Sequence, residues 1–134
     1  MSGWIGVDLD STLAHYDGWL GHDSPIGQPI PKMVERVKRW LKRGKTVKIF
    51  TARMQGDTFG KQEKMIKEWC KEHIGQELEV TNVKTRSMWE LWDDRAVAVE
   101  KNTGNVSIER WEKDQKREHD EHWAQLDDGQ KYNI

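Results

Sequence analysis

Two aspartates with one residue between them, Asp8 and Asp10, stand at the exit of a short apolar run. The stretch reads Gly3-Trp4-Ile5-Gly6-Val7-Asp8-Leu9-Asp10-Ser11-Thr12-Leu13, with Ile5, Val7 and Leu9 spaced as in a short buried strand. Residues two apart on a regular strand share a face. Two carboxylates that close repel each other, so one retains a proton unless a cation sits between them. This arrangement suits magnesium-assisted phosphoryl transfer. The plainer reading is a pair of surface aspartates capping a turn.

Three more segments place polar groups just beyond apolar runs. Thr51-Ala52-Arg53 follows Val47-Lys48-Ile49-Phe50, Lys84 follows Glu77 to Val80, and Asp93-Asp94-Arg95 follows Met88 to Trp92. Each run reads as a strand. Helical periodicity separates the first three, through Met33, Val34, Val37, Trp40 and Leu41, then Phe59, Gln62, Met65, Ile66, Trp69, Cys70, His73 and Ile74. Strand, helix, strand predicts right-handed crossovers and a mostly parallel α/β sheet flanked by helices. In such sheets ligands bind beyond the C-terminal strand ends, the edge on which all four groups fall.

Phosphoryl transfer has a use for each. One carboxylate can attack phosphorus and split a hard step into two. A second can protonate the leaving oxygen and later deprotonate water. Hydroxyls and cations offset phosphoryl charge, and further acids retain a hard cation. The candidates are Asp8, Asp10, Thr51 and Lys84 for the chemistry, Arg53, Ser11 and Thr12 for substrate, and Asp8, Asp10, Asp93 and Asp94 for the metal.

The segments Asp8-Leu9-Asp10-Ser11-Thr12-Leu13, Ile49-Phe50-Thr51-Ala52-Arg53 and Leu91-Trp92-Asp93-Asp94-Arg95 resemble the signatures of the haloacid-dehalogenase-like (HAD) superfamily, over roughly Gly3 to Gly104. Thr-Ala-Arg and Asp-Asp-Arg are also similar to the 3′-phosphatase domain of phage polynucleotide kinase and to small phage HAD-like proteins. The resemblance implies a HAD-like Rossmannoid fold without a large cap domain. It implies Asp8 as nucleophile, Asp10 as acid/base, and Thr51 and Lys84 on the phosphoryl group, with Arg53 in support. Mg2+ would rest on Asp8, the Asp10 carbonyl, and Asp93 or Asp94. Lys84 lies only nine positions before Asp93, closer than the family pattern, and Lys64 or Lys67 on the second helix are the alternatives. The implied activity is a magnesium-dependent phosphomonoester hydrolase working through an aspartyl-phosphate, on a nucleotide, another phosphorylated small molecule or a nucleic-acid 3′-phosphate end. The competing expectation is a catalytically weak protein that captures a phosphorylated ligand.

Residues 11–31, rich in Gly and Pro, leave directly from the paired aspartates and read as a flap over the site, with His15, Asp17, His22 and Asp23 as possible substrate contacts. Residues 96–108 read either as a helix opening at Ala96 to Glu100 or as a hairpin turning at Asn102 to Asn105. Residues 1–108 thus form the expected phosphatase domain. Residues 109–134 form a polar helix and tail, with Trp111 and Trp123 flanking the polar run Glu112 to His122, and could hold a homo-oligomer together.

The totals bound a single compact domain with a heavily charged surface. A length of 134 residues fits one domain, and 34% charged residues with a mean hydropathy of -0.94 require a compact core. Eight Lys or Arg against Glu35 lie between Lys32 and Lys48, a face that could steer phosphate or simply be solvated. The single Cys70 excludes an internal disulfide and reads as a buried structural thiol. No signal-peptide pattern or membrane-spanning apolar run is present, so the expected setting is the cytoplasm of a bacterial or phage-infected cell, away from membranes.

Overall fold

The computed structural model describes residues 3–19 and 24–106. His22 and Asp23 of the expected flap, Ile108, and the whole expected C-terminal helix and tail, 109–134, lie outside these residues. The chain divides between Asp94 and Arg95 into two compact units.

The first unit is an α/β sheet with Rossmann-like winding and no large cap domain among the described residues. In chain order it comprises β1 (Trp4–Val7), α1 (Pro31–Lys42), β2 (Thr46–Phe50), a short 3-10 turn (Ala52–Met54), α2 (Lys61–His73), β3 (Glu79–Thr81) and β4 (Met88–Trp92). All four strands are parallel, in the order β3-β2-β1-β4. The order therefore reverses beside β1, and the crevice that such a reversal opens at the C-terminal ends lies between β1 and β4.

One apolar cluster holds the unit together. Ile5, Val7, Val47, Ile49 and Val80 from the sheet meet Met33, Val34 and Val37 of α1 and Ile66, Trp69 and Cys70 of α2. Both helices therefore cover the same sheet face. Pro31 opens α1, where its missing N–H costs nothing. Trp40 packs tilted on Trp92 with centroids 5.1 Å apart, tying α1 to β4. On the opposite face Trp4 is sealed by Lys48, 4.7 Å over its ring, while its Nε1 donates to Thr85 Oγ1 at 2.8 Å. Burial pushes the Cys70 thiol up to about 12, which leaves it an inert core group.

Phe59 departs from the expected buried stripe and is 94% exposed. The helix begins only at Lys61, after Gly60 in the left-handed region, so Phe59 belongs to the preceding turn. The Asp57 carboxylate caps that helix by accepting from Gln62 N at 3.0 Å and Glu63 N at 3.1 Å.

The two arms of the expected flap, residues 11–31, are tied together at its neck. His15 N donates to Gln28 O and Ile30 N to Leu13 O, both at 2.8 Å, and Trp69 Nε1 donates to Gly27 O at 3.0 Å. Gly27 is obligatory here, because a Cβ would sit 1.9 Å from His15 O. Gly27→Ala is expected to force the two arms apart and cost about 1–3 kcal/mol, a typical overpacking penalty. Thermal unfolding and limited proteolysis within residues 15–28 report both effects; an unchanged melting temperature would contradict the pinch.

The second unit is described only as far as Val106. Val99 bridges Val106 in antiparallel fashion, Glu100 N donates to Asn105 O at 2.7 Å, and Asn102 and Gly104 take positive φ. This is the hairpin of the two sequence alternatives, turning where Asn and Gly tolerate left-handed backbone. No helix among the described residues is long and apolar enough to cross a membrane.

Candidate active site

The aspartate motif is positioned by its leucines. Leu9 and Leu13 are fully buried, and the Leu9 carbonyl accepts from Thr12, Leu13 and Ala14, closing a tight turn in which Ser11 has a φ of 73°. With Leu9 driven into the core, Asp8 and Asp10 project beyond the sheet, but into different surroundings.

Asp8 joins the β4 exit. Its N–H donates to Trp92 O at 2.9 Å, continuing the β1–β4 ladder, so the next residues of β4 arrive beside it. Carboxylate oxygens of Asp8, Asp93 and Asp94 all lie within 4.8 Å of one another. Thr12 Oγ1 lies 3.2 Å from Asp8 Oδ2 and 3.1 Å from Asp94 Oδ1, with one proton to give to either, and accepts from Asp94 N at 3.0 Å. Thr12 thus links both ends of the motif series and orients the acids. Three carboxylates are a hard, all-oxygen donor set of the kind Mg2+ takes alongside waters.

Burial, then the charges of Asp93 and Asp94, push Asp8 up from 3.8 to about 7. Asp10, the neighbour that the strand spacing sets against Asp8, takes no part: it is paired with Arg53, and Asp93 and Asp94 act on Asp8 instead. The sign follows from linkage. Folded Asp8 keeps a proton that the unfolded chain has already lost between pH 3.8 and about 7, so its favourable contribution is complete below that window and lost as pH rises through it. Without divalent cations, Asp8→Asn is therefore expected to melt higher than wild type above pH 7 and to match it in strong acid. Melting curves of both proteins across pH check this; a constant difference would contradict it.

Asp10 belongs to a second cluster, built around Arg53. Arg53 Nε donates to Asp10 Oδ2 at 2.7 Å and Nη2 to Asp10 Oδ1 at 2.9 Å, a bidentate pair. Nη2 also donates to Pro25 O at 3.2 Å, and Nη1 donates to Ser24 O at 2.7 Å and to Gln62 Oε1 at 3.2 Å. All five N–H donors are engaged, and Arg53 is 5% exposed. Arg53 is therefore placed to position Asp10 and the returning arm of the flap, with no donor left over for a phosphate. The Trp19 ring lies 5.0 Å from the Arg53 guanidinium carbon.

Thr51, 2% exposed, immediately follows β2 and caps the 3-10 turn that carries Arg53. Its Oγ1 accepts from Arg53 N at 3.1 Å, which leaves the hydroxyl proton to donate. Ser11 is exposed on the turn. Lys84 is exposed in the β3–β4 connection, and no hydrogen bond or ion pair joins it to the carboxylates among the described residues. Lys64 is exposed on α2, and Lys67 faces Glu63 at 3.8 Å as an ordinary helix pair. His15 and Asp17 contact each other at 3.0 Å in an exposed part of the flap.

By spacing, Gln62 and Trp69 belong only to the apolar stripe of α2, yet one receives Arg53 and the other holds Gly27. A glutamine at a buried stripe position was the available signal, since a buried amide needs a partner.

No protein-family model matches the chain, and no curated protein matches it. Among solved structures, the chain is similar to a conserved protein coded by a locus of Bacteroides thetaiotaomicron, at 20% identity and a TM-score of 0.50, over 92% of this chain and 96% of that one. At that identity the likeness shows the fold alone.

Proposed function

We propose that the chain is a HAD-type, magnesium-dependent phosphomonoester hydrolase acting through Asp8. The observation that carries this reading is the meeting of Asp8, Asp93 and Asp94 oxygens within 4.8 Å at the C-terminal sheet edge. A divalent cation bound there supplies charge neutralisation for Asp8 and for the phosphoryl oxygens.

The residues divide the work in two steps. An Asp8 oxygen attacks phosphorus, the bond from phosphorus to the ester oxygen breaks, and Asp10 gives that oxygen a proton. Water then attacks the same phosphorus, Asp10 takes its proton, and phosphate departs with Asp8 restored. Each Asp10 oxygen accepts one hydrogen bond from Arg53 and keeps a further lone pair for the proton. Thr51 donates to a phosphoryl oxygen, and Thr12 keeps the acids in register. The substrate is a phosphorylated small molecule, a nucleotide or a nucleic-acid 3′-phosphate end.

Phosphate release from a generic aryl phosphate, with Mg2+ and with chelator, tests the reading. Magnesium-dependent release is the expected result; no release from that ester, from nucleotides or from sugar phosphates would contradict it. A second reading, capture of a phosphorylated ligand without turnover, is favoured by one observation: Lys84 is exposed and Arg53 is fully engaged, so neither of these two cations is committed to the phosphoryl group. Tight binding in the same panel without release would select it.

A further inference from the structure

We infer that Trp19 is the specificity-determining residue of this site and that the leaving group it selects is a nucleoside, its base stacked on the open indole face. The inference rests on the phosphomonoester reading above and names the substrate class for it.

Trp19 is 48% exposed while the group beneath it is buried. Its ring lies 5.0 Å from the Arg53 guanidinium, whose donors are all spent in its own plane, on Asp10, Gln62, Ser24 and Pro25. A guanidinium fixed by five hydrogen bonds is a rigid base for an indole. A ring held in place beforehand loses little freedom when a second planar group docks on it. Covering Arg53 occupies one side of the indole and still leaves Trp19 48% exposed. The same guanidinium grips Asp10, the acid that protonates the leaving oxygen in the reading above, so Arg53 links Trp19 to the leaving-group side of the site. Aromatic faces stack on any nucleobase, and a sugar phosphate offers no such face. Phe59, 94% exposed after the adjacent β2 exit, is a further aromatic on this sheet edge.

Calorimetric titration in the Asp8→Asn background, with Mg2+ present, tests the inference without turnover. The ligands are adenosine 5′-monophosphate, adenosine 3′-monophosphate, a 3′-phosphorylated dinucleotide and ribose 5-phosphate. The expected result is that nucleotides bind ~10- to 100-fold tighter than ribose 5-phosphate, the range that stacking on one aromatic side chain supplies. Adding Trp19→Ala should remove that advantage and leave ribose 5-phosphate unchanged, while Trp19→Phe should restore most of it. The tightest of the three nucleotides identifies a free nucleotide or a strand end as the source. Equal binding of nucleotides and ribose 5-phosphate by the parent, or an equal loss of both in Trp19→Ala, would overturn the inference. Selective binding with no phosphate release from the wild-type chain would sink the hydrolase and spare Trp19. Release without base selectivity would do the reverse.

Discussion

Asp8→Asn is expected to reduce magnesium-dependent phosphate release by ~10³-fold or more while the protein stays folded. An amide matches the shape of the acid but cannot attack phosphorus, so the loss falls on turnover. The fold should tolerate the change well, because Asp8 sits half-buried among two like charges and gives up a repulsion. Substrate affinity should fall far less than kcat. The measurement is steady-state kinetics on an aryl phosphate beside a melting curve. Equal turnover in both proteins would remove Asp8 from the chemistry, and a collapsed fold would make it a structural residue.

Arg53→Met is expected to have the largest effect on stability, about 3–5 kcal/mol, the usual consequence of removing one partner from a buried pair. The Asp10 carboxylate would lose both its donors, and Ser24 O, Pro25 O and Gln62 Oε1 would each lose one. Since three of these groups hold the flap and the helix beside it, Trp19 should be released as well. Arg53→Lys should recover the charge but not the fork, and so fall between. Chemical denaturation of the three proteins measures the series. A cost below about 1 kcal/mol for Arg53→Met would show that the pair is solvated rather than structural.

The strands and first helix were legible because apolar side chains repeat there at the period of the element. Ile5 and Val7, Val47 and Ile49, and Met33, Val34 and Val37 all became core. The meeting of Asp8 with Asp93 was only half legible. Their strand exits could be read, but β4 pairing with β1, on the side away from β2, depends on tertiary pairing that a single run does not encode. The contacts of Arg53 were not legible, because two of its acceptors are backbone carbonyls, which every residue possesses. Phe59 misled for a related reason. It has the apolar type and the spacing of the α2 stripe, but Gly60 starts the helix after it. Lys84 has the charge expected of a phosphate ligand and lies on an exposed connection.

Cooperation of Asp8, Asp93 and Asp94 in gripping a divalent ion underlies the catalytic account, and Mn2+ titration followed by electron paramagnetic resonance reads it most directly. Wild type should take up one ion per chain, displaceable by Mg2+ and held more weakly as pH falls below about 7, where Asp8 gains its proton. The Asp93→Asn/Asp94→Asn double variant should bind none at the same concentrations. Undiminished uptake by that variant, or no uptake by wild type at millimolar Mn2+, would contradict the account.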